Sequence, residues 1–257
     1  MKFVYVGCCG FPCSRKKYFE LFSVVELQNT FYDLPSVSWA EGIRREAPTE
    51  FRFAVKAWQV ITHPSSSPTW RKMKKKPNGY IENYGYLRPT RENVEAFKKT
   101  VELARVLRAE VIVLQTPPTM PHSESALGWA HSFFEEVKPL VDRSAIIAWE
   151  VRGPLAYSPH LRDVFEGHDL LHVVDILKNK PIYKHSRGLL YTRLHGIGRG
   201  EVNYKYNYTE ADLNKLCSAI FSEEPREAYI LFNNIRMLDN ALKLKSMLKS
   251  TEDLSAL

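Results

Sequence analysis

The chain has 257 residues, 44% hydrophobic, 25% charged and 12% aromatic, a mix that excludes a disordered chain and suits a globular one with a sizeable core. Lysine and arginine outnumber aspartate and glutamate by 36 to 29, and the balance of +7 favours anionic partners without requiring them. No apolar run approaches the roughly 18 residues of a membrane span. Met1-Lys2 leads straight into a strand-like FVYV with no apolar leader, so the expectation is a cytoplasmic protein with no membrane partner.

Eight short β-branched or aromatic runs follow one another: Phe3 to Gly7, Val24 to Gln28, Phe51 to Lys56, Val111 to Gln115, Ile146 to Val151, Leu171 to Asp175, Leu189 to His195 and Tyr229 to Asn233. Helical patterns lie between them at Ser14 to Phe22, Ser36 to Glu46, Thr90 to Leu107, Ser123 to Val141, Ser158 to Phe165, Thr209 to Phe221 and Met237 to Leu248, several opened by a Ser or Thr cap. The segment Lys178 to Arg187 contains Pro181 and has little helical period. Continuous apolar strands such as VIVL and IIAW suit a parallel sheet covered on both faces, and eight β-then-α units is the number that closes a barrel. The expected fold is therefore a single (β/α)8 TIM-type barrel over residues 1–257, with an open doubly wound sheet as the alternative. Residues 58–89, rich in proline, form a long insertion after strand 3.

Catalytic groups of a parallel barrel gather at the C-terminal strand ends, and here those ends are polar. Strand 2 carries Glu26 and runs into Asn29 and Tyr32; strands 3 and 4 end at Lys56 and Gln115; strand 5 ends at Glu150-Val-Arg152; strand 6 at Asp175; strand 7 at Arg193-Leu-His195; strand 8 at Asn233-Asn234. Residues two apart point the same way, so Glu150 shares a face with Arg152 and Arg193 with His195. Buried charges cost several kcal/mol per ion unless partnered, so these groups either neutralise each other or serve a ligand.

The segments running from Tyr18 through Glu26 and Asn29-Thr-Phe-Tyr32, with Phe53-Ala-Val-Lys56-Ala, Leu114-Gln115-Thr-Pro-Pro118, Trp149-Glu150-Val-Arg152, Tyr191-Thr-Arg193-Leu-His195-Gly196 and Leu231-Phe-Asn233-Asn234, resemble the YecE-like proteins, the domain-of-unknown-function family 72. The match covers essentially the whole chain. It implies a (β/α)8 barrel with Glu26, Asn29, Tyr32, Lys56, Glu150, Arg152, Arg193, His195 and Asn233 around its mouth. The resemblance carries no established reaction; the barrel is similar to endonuclease IV and the sugar isomerases, which place metal ions at that end. Two departures stand out. Many relatives open with Gly-Thr-Ser-Gly-Trp, where this chain has Gly7-Cys8-Cys9-Gly10-Phe11 and a further Cys13; and the strand-5 motif, often Glu-Phe-Arg-His, is Glu150-Val-Arg152-Gly153.

Two versions of phosphate chemistry compete. In metal-assisted phosphodiester hydrolysis, Mg, Mn or Zn would be held by Glu26, Glu150, Asp175 and His195, a set with one histidine among three cations that would repel the ion. In a metal-free anion site, Arg193, Arg152 and Lys56 hold phosphate, Asn29, Tyr32, Gln115 and Asn233 line the pocket, and Glu150, His195 and Glu26 move protons. The leading expectation is an enzyme acting on a phosphate-bearing substrate, most plausibly nucleic acid. A non-catalytic binder of single-stranded nucleic acid or a nucleotide is the alternative, and a neutral-sugar isomerase the third. Trp70, Arg71, Lys72, Lys74, Lys75 and Lys76, echoed by Tyr204 and Lys205, interleave cations with aromatic faces as a single-strand surface does, or else form a solvated basic loop. The thiols of Cys8, Cys9 and Cys13 match no CxxC spacing; buried thiols, a metal or cluster site and a redox pair all remain open.

Overall fold

A computed structural model describes residues 3–142, 144–198 and 200–249. Eight strands alternate with helices in chain order: β1 (Phe3–Cys9), α1 (Arg15–Leu21), β2 (Val24–Leu27), α2 (Asn29–Tyr32), α3 (Val37–Glu46), β3 (Arg52–Lys56), α4 (Arg91–Leu107), β4 (Ala109–Gln115), α5 (Glu124–Val137), β5 (Ile146–Glu150), α6 (Leu161–His168), β6 (Leu171–Val174), β7 (Leu189–Leu194), α7 (Glu210–Ser222), β8 (Glu227–Phe232) and α8 (Met237–Lys249). The strand order β1 to β8 closes on itself as a parallel barrel, the expected fold. By internal packing the chain divides into two compact units, one from Met1–Glu26, Ala47–Arg52 and Leu171–Leu257, the other from Leu27–Glu46 and Phe53–Leu170.

In the first unit β1 pairs with β8, Val6 opposite Ile230, and β7 pairs with β8, Thr192 opposite Ile230. In the second, β3 pairs with β4, Lys56 opposite Val113, and β4 with β5, Gln115 opposite Glu150. β5, β6 and β7 are buried at every position, which explains why their sequences are mostly apolar. The helices follow their local signals. Thr90 caps α4 by accepting from the Asn93 amide, and Val94, Phe97, Val101, Ala104 and Leu107 form its buried stripe. α7 opens on a reciprocal Thr209–Asp212 capping box.

Three elements depart from the pattern. α5 stops at Val137 and its last turn becomes a 3-10 turn over Lys138–Leu140, because Pro139 has no amide to donate. Between β6 and β7 the described residues form turns with no α-helix, in keeping with Pro181. α2 is a single turn just past the expected end of strand 2 at Gln28, where no helix was expected. Thr30 Oγ1 sits within hydrogen-bond range of the Leu27 carbonyl (3.0 Å) and the Lys56 carbonyl (2.6 Å), and no local pattern foretells that tie to β3. The 58–89 insertion is structured, with 3-10 turns at Gln59–Ile61, Pro68–Lys72 and Ile81–Asn83. Among the described residues no helix is long and apolar enough to cross a membrane.

Candidate functional site

In the second unit, Lys56, Gln115 and Glu150 are the final residues of three neighbouring strands, so parallel pairing brings their ends together. All three are buried. The chain turns away after Glu150, and Arg152 folds back so that its Nε lies 2.7 Å from Glu150 Oε1. Lys56 Nζ stands 3.9 Å over the Phe31 ring, an aromatic face that holds the ammonium without neutralising it. His63, in the insertion, is buried against this group. Burial first, then the positive charges of Lys56 and Arg152, push its imidazole down to about 3 from 6.5, so it is uncharged at neutral pH. Its Nδ1 is 2.8 Å from Thr62 Oγ1. The buried Trp58 indole N–H, two residues past Lys56, has no hydrogen-bond partner.

The arrangement brings two cations, a carboxylate and a neutral imidazole together in a poorly solvated place. Gly153 follows Arg152 with its backbone at φ 73°, ψ −161°, a region other residues avoid, and an added Cβ would run into the Pro118 carbonyl oxygen.

The first unit uses its strand residues differently. Tyr191 and Arg193, two apart on β7, both reach Glu26 on β2: the phenol donates to Glu26 Oε2 at 2.8 Å and Arg193 Nη2 lies 3.0 Å from Oε1. In the strand order β8 and β1 lie between β7 and β2, so these side chains meet through the barrel interior. Glu26 and Arg193 are both 0% exposed, and each answers the other's charge. Glu26 and Arg193, expected as proton carrier and phosphate clamp, face each other in a buried ion pair. Burial and the Glu26 charge hold the Tyr191 phenol and the Cys9 thiol well above their ordinary ranges, and burial pushes Cys8 up to about 12, so Cys8 and Cys9 are inert buried thiols.

Asp175 Oδ2 accepts the His195 amide at 3.1 Å and Oδ1 the Leu177 amide at 3.3 Å, which fixes the segments after β6 and β7. The His195 ring meets Tyr204 edge-on at 6.3 Å. Asn233 donates its amide to the Leu194 carbonyl, Asn29 is exposed at the start of α2, and Tyr204 and Lys205 are exposed. A divalent-metal site was expected from Glu26, Glu150, Asp175 and His195. Among the described residues no three His, Cys, Asp or Glu side chains gather to hold an ion, because Glu26 and Glu150 each face a guanidinium and both Asp175 oxygens take backbone amides.

In the insertion, Trp70 is a packing residue rather than an open stacking face: its Nε1 donates to the His63 carbonyl at 3.0 Å and its ring meets Tyr84 edge-on at 6.0 Å. Arg71, Lys72, Lys74, Lys75 and Lys76 are exposed. Sequence reasoning undervalued His63, Tyr191 and Asp33. The position of Tyr191 two residues before Arg193, on the same strand face, was the one local signal available.

The family described as a protein of unknown function, DUF72, matches residues 14–256. This chain belongs to the DUF72 family. A DUF72 protein of Enterococcus faecalis V583 has the same fold at a TM-score of 0.72 and 19% identity, covering 97% of this chain and 98% of its own. A second, from Thermotoga maritima, superposes at 0.65 with 23% identity over 96% of this chain and 99% of its own. Endonuclease IV from Thermus thermophilus is similar to this DUF72 chain at 0.55 and 10% identity, over 98% and 100% of the two chains. At these identities the likeness shows the fold of the barrel enzymes. None of the curated proteins matches the chain in sequence.

Proposed function

We propose that this DUF72 protein is a barrel enzyme that acts on a phosphate-bearing substrate at the ends of β3 to β5, with a phosphodiester of nucleic acid as the favoured class. One observation carries the reading. Lys56, Arg152 and Glu150 gather at neighbouring strand ends with Arg152 paired to Glu150, and burial together with the two cations keeps the adjoining His63 neutral. Arg152 offers a planar donor fork and Lys56 a point charge to a phosphate oxygen. Glu150, held by Arg152, is the group that accepts the proton of the attacking water. Endonuclease IV shares the architecture, which supports the substrate class by analogy alone.

Labelled single-stranded, duplex and abasic oligonucleotides incubated with the protein test this, with and without added magnesium or zinc. The wild type is expected to cleave one of them. Glu150→Gln should lower the rate by roughly 100-fold or more. Tight, salt-sensitive binding with no cleavage by the wild type would replace the enzyme with a nucleic-acid or nucleotide binding protein, a second reading supported by the exposed cations of residues 71–76. Ligand affinity indifferent to ionic strength would favour a neutral-sugar isomerase.

A further inference from the structure

Five of the six residues 71–76 are cationic, and no aspartate or glutamate occurs between residues 64 and 81. Arg71, Lys72, Lys74, Lys75 and Lys76 are all exposed, and among the described residues none of them forms an ion pair. Such a run normally spreads to relieve its own repulsion. Here the backbone is tied down. The Asp33 carboxylate accepts the amide of Lys74 at 3.0 Å and that of Lys75 at 3.2 Å, so its charge is used on the main chain and the side chains keep theirs. Upstream, the Trp70 indole is anchored to the His63 carbonyl, and Lys72 Nζ sits 5.0 Å over the Tyr32 ring. Downstream, Glu92 Oε1 accepts the Tyr80 amide at 3.2 Å and Asn83 Nδ2 at 3.1 Å, and the Tyr84 hydroxyl donates to the Asn78 carbonyl. The Tyr80 ring is left 69% exposed.

We infer that residues 71–80 are a preformed strip for the phosphate backbone of single-stranded nucleic acid, with Tyr80 as the face on which a base stacks. The inference rests on the nucleic-acid reading for its partner and needs no catalysis. Fixed unpaired cations supply sequence-independent phosphate contacts, and an exposed tyrosine beside them supplies the stacking that such surfaces use. An anionic membrane would engage the same charges. The strip offers little for a bilayer interior, since Tyr80 and the partly exposed Ile81 are its large apolar groups and it contains no amphipathic helix.

The test is fluorescence anisotropy of a labelled oligothymidylate over a range of sodium chloride, for the wild type, the triple variant Lys74→Ala/Lys75→Ala/Lys76→Ala, Tyr80→Ala and Glu150→Gln. Matching circular dichroism and melting curves would show that the surface variants are folded. Each single-strand phosphate contact contributes about 0.7 to the slope of log K against log salt, so the triple variant should flatten the slope by about 2. Tyr80→Ala should weaken oligothymidylate roughly tenfold and leave an abasic oligomer of equal length unchanged. Glu150→Gln is included to read cleavage, not affinity. An unchanged slope in the triple variant overturns the inference, as does binding to phosphatidylserine vesicles without binding to the oligomer, or no binding by the wild type. Loss of slope without any cleavage would sink the proposed catalysis and keep the strip; cleavage that depends on Glu150 and ignores the triple variant would do the reverse.

Discussion

Acid should destabilise this protein through His63 in a measurable and specific way. The folded imidazole stays neutral down to about pH 3, because burial and then Lys56 and Arg152 oppose its charge, whereas the unfolded side chain takes its proton near 6.5. Below pH 6.5 the unfolded chain therefore binds more protons than the folded one, and stability falls as pH falls across the window from 6.5 to about 3. Between pH 7 and pH 4.5 the two units below 6.5 correspond to about 2 to 3 kcal/mol. Urea unfolding at pH 7, 5.5 and 4.5 gives the wild-type loss, which includes every other titrating group. His63→Asn keeps a polar group near Thr62 Oγ1 and removes the titration, so the wild type should lose about 2 to 3 kcal/mol more than the variant over that interval. Parallel curves for the two proteins, or an imidazole seen by NMR to titrate near 6.5, would show that His63 is not pressed between those cations.

Two further outcomes follow from the geometry. Arg193→Met leaves Glu26 buried beside Tyr191 without its cation and should cost about 3 to 5 kcal/mol in urea unfolding, most of it restored by adding Glu26→Gln; a variant as stable as the wild type would return Arg193 to the ligand-binding set. Gly153→His, which recreates the family's usual residue, should destabilise by about 2 kcal/mol or more, because its backbone angles suit glycine and the Pro118 carbonyl occupies the Cβ position; a neutral effect would mean that this turn relaxes readily.

The barrel was legible because its evidence is local. Each strand is a short, mostly apolar run, the strong helices are periodic stripes behind caps, and the ends of β3, β4 and β5 can be read directly as Lys56, Gln115 and Glu150. The partnership of Glu26 was not legible, since Tyr191 lies 165 residues away and sequence cannot say which of several buried charges meet. The same limit hid α2, whose turn is tied to the Lys56 carbonyl, and made Trp70 look like an open face when its indole is used inside the insertion. Whether the basic run was a loose loop could not be decided either, because the answer lies in Asp33, some forty residues upstream.

The pair between β2 and β7 also bears on which residues of these strands can change alone. A carboxylate and a guanidinium closed to water and latched by a phenol link the two strands through their side chains, so a substitution at Glu26, Tyr191 or Arg193 is felt at the other two.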